Sequence, residues 1–137
     1  MPTPMIIQIV GHNRGENHFE PILKWLEELG LTFRNPAADA ITWWNDSGDQ
    51  LTTTLEDVLR KIRNSEPGNV QMWFSEGRDL FISWEKREML IYLDGKSIEE
   101  KRMVIRAIVD NFIEIRSGLR ADWKICIGNE DAIYGIE

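Results

Sequence analysis

Between Val70 and Leu93 the chain repeats one pattern three times, an apolar residue at every second position. Val70, Met72 and Phe74 make the first run, Leu80, Ile82 and Trp84 the second, Met89, Ile91 and Leu93 the third. A period of two sends neighbouring side chains to opposite faces of an extended backbone, so each run reads as a strand with one buried face. Turn chemistry gives a check on register. If Ser75-Glu76-Gly77 is a three-residue loop with Gly77 in the left-handed region, Met72 falls opposite Leu80 and Val70 opposite Ile82. If Glu85-Lys86-Arg87-Glu88 is a four-residue loop, Trp84 falls opposite Met89 and Ile82 opposite Ile91. Both turns bring the same apolar set to one face, and a slip of one residue would undo the match. An antiparallel meander over about 70–93 is therefore predicted.

The other face would carry Gln71, Trp73, Ser75, Asp79, Phe81, Ser83, Glu88, Leu90 and Tyr92, with Trp73 beside Asp79 and Phe81 beside Tyr92. Mixed aromatic and acidic surface suits a binding partner, because aromatic rings bring much contact area for little lost rotamer freedom. The competing expectation is a helix or loop laid over this face, as is common in α+β domains.

The flanking sequence supplies the rest of the scaffold. Met5 to Val10 (MIIQIV) is a continuous apolar run and reads as a strand buried on both faces, in the interior of a sheet. A helix is expected from about Glu20 to Leu29, with Pro21 in its first turn and Gly30 closing it. Leu31–Arg34 reads as a short strand, and Ala40–Trp44 as another, ended by Asn45-Asp46-Ser47-Gly48. Trp43 and Trp44 are adjacent, so one must point inward and the other outward. Thr54 with Asp57 opens a second helix whose apolar face is Leu55, Val58, Leu59 and Ile62. Ser97 with Glu100 is a complete capping box, starting a third helix that runs to about Arg116. Its broad apolar face (Ile98, Val104, Ile105, Ile108, Val109, Phe112, Ile115) is wide enough to cover the meander's buried side. Trp123, Ile125 and Ile127 alternate as a closing strand, and Ala132–Ile136 reads as an edge strand after a turn at Asn129-Glu130-Asp131. The expected fold is α+β, one domain over residues 1–137, with a mixed, mainly antiparallel sheet packed by about three helices.

Composition narrows the function classes. With 23 acidic against 16 basic residues the formal charge is -7. That argues against general affinity for nucleic acid or anionic membrane, where counterion release needs basic patches. It would steer a basic protein partner. The lone cysteine, Cys126, rules out an internal disulfide and thiolate-rich zinc sites, and in an alternating strand it reads as a small buried hydrophobe. No apolar run approaches the roughly 20 residues that span a bilayer. The opening MPTPMIIQIV has no basic region or cleavage site, so a signal peptide is not expected and the expected setting is cytoplasmic.

Catalytic signals are sparse. His12 and His18, with Arg14, Glu16 and Glu20 nearby, are the one acid–base group in view, and a metal-free nuclease needs such a pair to accept and donate protons. Their spacing in HNRGENH matches neither a helical zinc pair nor a phosphate-binding loop. No serine stands in a nucleophile elbow, and no cofactor or metal motif is present.

The stretches ITWWND, QMWFSEGRDLFISWEKREMLIYLDG and DWKICIGNED, on a small acidic chain with six tryptophans, resemble the immunity proteins of bacterial contact-dependent growth inhibition and other polymorphic toxin systems. The resemblance implies a cytoplasmic, non-enzymatic protein that binds one cognate toxin domain, often a basic nuclease, and blocks its active site or substrate groove. The residues expected to bind are Trp73, Asp79, Phe81, Glu88 and Tyr92, with Trp43 or Trp44 and Asp46 at the margin. The alternatives are a small hydrolase or nuclease using His12 and His18, or a structural or adaptor subunit burying its aromatic face in a homo-oligomer.

Overall fold

The computed structural model describes residues 5–11, 19–118 and 123–129. Strand β1 (Met5–Gly11) is followed by helix α1 (Glu20–Leu29), short strands β2 (Arg34–Asn35), β3 (Ala40–Trp44) and β4 (Gln50–Thr53), and helix α2 (Leu55–Arg63). The meander comes next as β5 (Gly68–Ser75), β6 (Arg78–Trp84) and β7 (Glu88–Tyr92), then helix α3 (Ile98–Gly118) and strand β8 (Trp123–Asn129). All pairings are antiparallel, in a five-stranded sheet of order β5-β6-β7-β1-β8 and a three-stranded sheet of order β2-β3-β4. The fold is α+β. No helix among the described residues is long and apolar enough to cross a membrane.

The meander has the register its turns dictate. Met72 pairs with Leu80, Val70 with Ile82, Ile82 with Ile91 and Trp84 with Met89. Gly77 takes φ +75, the left-handed conformation that a residue with a Cβ adopts at a cost. A bulge between Trp73 and Ser75 takes Phe74 out of the alternation, so it is only half-buried where a core residue was expected. β1 lies inside the sheet between β7 and β8, and Ile6, Ile7 and Ile9 are fully buried.

One apolar cluster joins the inner sheet face (Ile7, Ile9, Val70, Leu80, Ile82, Ile91) to Ile22, Leu23 and Leu26 of α1, Ile62 of α2, and Val104 and Ile108 of α3. Each such side chain contributes about 1.5–3 kcal/mol on burial. Helix ends follow their local chemistry. Gly30 at φ +117 ends α1, its N–H donating to the Glu27 carbonyl at 2.9 Å. The Asp57 N–H donates to Thr54 Oγ1 at 3.1 Å, and Ser97 and Glu100 complete their reciprocal box at 2.9 and 3.1 Å.

Several expectations need correction. Leu55 and Ile98 are 37% and 69% exposed rather than part of the core faces. Each is the first residue of its helix, where the apolar stripe has run beyond the elements it packs on. Leu31–Arg34 is not a continuous strand: Thr32 makes one isolated bridge to Trp73, Leu31 and Phe33 enter the core, and pairing starts at Arg34. β4 was not expected at all, since Gln50-Leu51-Thr52-Thr53 lacks apolar alternation; it forms because the Asn45–Gly48 turn returns the chain along β3. Cys126 is half-exposed rather than buried. His12, His18 and the expected strand Ala132–Ile136 lie outside the described residues, as do the side chains of Ile115 and Trp123.

Candidate partner-binding cleft

The small sheet is seated against β5 by explicit hydrogen bonds. The Thr32 N–H donates to the Trp73 carbonyl at 3.0 Å, and the Trp73 N–H donates to the Thr32 carbonyl at 2.8 Å. Farther along β5, the Trp44 N–H donates to Asn69 Oδ1 and Asn69 Nδ2 donates to the Trp44 carbonyl, both at 2.8 Å. The Asn69 carboxamide thus replaces a peptide group in a strand-like pairing. Between these points Gln71 Oε1 accepts from Thr42 Oγ1 at 2.8 Å and from Gln50 Nε2 at 2.6 Å, while Gln71 Nε2 donates to Asp79 Oδ2 at 2.8 Å. Lys96 Nζ stands 3.8 Å from Asp79 Oδ1. A buried carboxamide with its groups satisfied fixes geometry, because any other orientation would strand a polar atom out of water.

This docking leaves a cleft of about 490 Å³ between the end of β3 and the outer face of β6 and β7. Trp43, Trp44 and Asp46 form one wall, and Glu88, Leu90 and Tyr92 form the other. Trp44 is the outward tryptophan, at 37% exposure; Trp43 is half-buried, with Lys61 Nζ 4.5 Å from its ring centroid. Phe81 supports the far wall, its ring 5.4 Å from that of Tyr92 and tilted by 51°. Asp46, Glu85 and Glu88 line the cleft, and among the described residues no lysine or arginine does. Glu88 also accepts from Gln8 Nε2 at 2.7 Å, which holds its carboxylate on the outer face. Rings flanked by carboxylates attract cations, above all guanidinium, which stacks on an aromatic face while pairing with acid.

Of the residues expected to bind, Trp43, Trp44, Asp46, Glu88 and Tyr92 converge on this cleft. Phe81 lies beside it, half-buried. Trp73 and Asp79 do not belong to it. Trp73 is 7% exposed, because the chain at Thr32 closes the β5 edge over it, and its Nε1 has no hydrogen-bond partner among the described residues. Asp79 is tied to Gln71 and Lys96 and serves the seat of the small sheet. Sequence reasoning missed Glu85, whose signal was its place in the same turn as Glu88, to whose carbonyl its N–H donates at 2.8 Å. Among the described residues no three His, Cys, Asp or Glu side chains are grouped as metal ligands. Compared with known proteins, the chain matches no family model, no curated protein and no solved structure.

Proposed function

We propose that this chain is a non-enzymatic protein-binding module, and most specifically a cytoplasmic immunity protein that neutralises a basic, nuclease-type toxin domain. The acidic, aromatic cleft lies against the toxin's active site or substrate groove. Asp46, Glu85 and Glu88 stand there in place of nucleic-acid phosphates, and Trp44 and Tyr92 anchor the centre of the contact. The observation that supports this reading is the convergence of aromatic and acidic residues from β3 and the turn after it, the β6–β7 turn and β7 on one open cleft that, among the described residues, no lysine or arginine lines.

The test is capture of a basic toxin domain, sought first in the neighbouring reading frame, with Asp46→Lys plus Glu88→Lys as the variant. Asp46 is exposed, whereas Glu88 is half-buried and gives up its bond from Gln8 Nε2, so the variant stays folded with a modestly lowered melting temperature. Affinity falls by at least about tenfold, mostly through slower association at low salt. Undiminished capture by a normally folded double variant rejects the cleft.

A further inference from the structure

One sheet edge in this protein is sealed and another is left open. β5, which with β8 forms the edges of the larger sheet, is closed by the Thr32 pairing and by the Asn69 carboxamide. β4, the longer of the two edges of the smaller sheet, is paired only on its β3 side among the described residues. Edge strands are ordinarily blunted by a charge, a proline or a bulge, since an open row of N–H and C=O groups invites another strand. Gln50-Leu51-Thr52-Thr53 carries none of these, and its register with β3 runs unbroken from Ile41–Thr53 to Trp44–Gln50. Gln50, Leu51 and Thr52 are exposed, Leu51 at 41%. We propose that β4 is the pairing edge of a homodimer, in which two copies join their three-stranded sheets antiparallel into one continuous sheet.

The self-complementarity of the strand favours a second copy as occupant. A two-fold axis perpendicular to the sheet keeps every side chain on its own face, so each residue meets one of the same alternation. With the axis at Leu51, Leu51 meets Leu51 of the second copy, Gln50 meets Thr52, and Asp49 meets Thr53. No two like charges are opposed. The edge is also held ready, because the Gln50 side chain is bound to Gln71 of the larger sheet. A rigid edge loses little freedom on pairing.

Sedimentation velocity on the full chain over a concentration series tests this, with two variants. The parent shows a monomer–dimer equilibrium. Leu51→Lys, which sets two ammonium groups face to face and removes an apolar pair, raises the dimer dissociation constant at least about tenfold. Leu51→Cys in a Cys126→Ser background forms an intermolecular disulfide on mild oxidation, since directly opposed Cβ atoms, about 4.5–5.5 Å apart, need close by only about 1 Å to reach disulfide geometry. A parent that stays monomeric at every concentration overturns the proposal. So does a dimer that persists in Leu51→Lys while Leu51→Cys fails to cross-link.

Discussion

The indole of Trp84 donates from Nε1 to the carbonyl oxygen of Glu66, 2.9 Å away, and it reaches that position only because residue 68 is a glycine. A Cβ on Gly68 would stand 2.7 Å from Cζ2 of the ring. Trp84 is 2% exposed and packed in the core, so it has little room to retreat. Gly68→Ala therefore costs about 1–3 kcal/mol of stability, the range for overfilling a packed site. A lower urea midpoint with an unchanged slope is the expected readout; a midpoint equal to the parent's refutes this account.

Trp73 and Trp84 provide a paired comparison. Both are buried, at 7% and 2% exposure, but only the Trp84 Nε1 has an acceptor among the described residues. Removing a donor that bonds nothing strands no partner, whereas removing the other strands the Glu66 carbonyl. Trp84→Phe is therefore more destabilising than Trp73→Phe, by about 1–2 kcal/mol. Matched denaturation curves decide the point, and equal losses contradict it.

Asn69 positions the exposed anchor of the cleft. Its carboxamide satisfies both the N–H and the carbonyl of Trp44. Asn69→Ala loosens that end of β3 at a cost of about 1–2 kcal/mol for the two bonds in a half-exposed site. Hydrogen exchange at the Trp44 amide accelerates, while the amides of β6, in the core of the meander, keep their protection. Exchange unchanged at Trp44 would show that the pairing carries no weight in solution.

Acid should weaken the fold through one carboxylate on α3. Glu100 accepts from Arg78 Nε at 2.9 Å and from Arg78 Nη2, and it also accepts from the Ser97 N–H. The Arg78 hydrogen bonds, opposed by partial burial, hold its carboxyl down from an ordinary 4.5 to about 2. A folded-state value below the unfolded one means stability that is complete above pH 4.5 and is lost as pH falls from there toward 2. Glu100→Gln is accordingly less stable than the parent at pH 7, and the gap narrows through that window. Thermal melts at stepped pH check the trend; a gap that stays constant down to pH 2 rules it out.

The meander was legible because two independent turns, at Gly77 and at Glu85–Glu88, demanded the same face. Met72–Leu80 and Ile82–Ile91 follow from that agreement. The capping residues Thr54 and Ser97 were legible because their partners sit three residues away. What covers the outer face was not legible. Alternation says that Trp73, Phe81 and Tyr92 share a side, but no local pattern reports that Thr32 will pair with Trp73, so a buried indole and a half-exposed phenol read alike. The cleft was foreseen as residue types and not as a place, since its walls meet only after Asn69 has captured Trp44. β4 escaped notice for the opposite reason: a polar, threonine-rich strand exposed on its free side carries no apolar rhythm.

The position of β1 has a consequence for the order of assembly. Ile7 pairs with Ile91 on one side and with Ile127 on the other, so β1 finds its neighbours 84 and 120 residues further along the chain. During synthesis β1 is made before either of its neighbours, so Ile6, Ile7 and Ile9 stay unsatisfied until β7 and β8 have followed. Such remote closure slows folding relative to proteins built from local contacts. The nascent chain must be kept from sticking to its neighbours until β8 has been made.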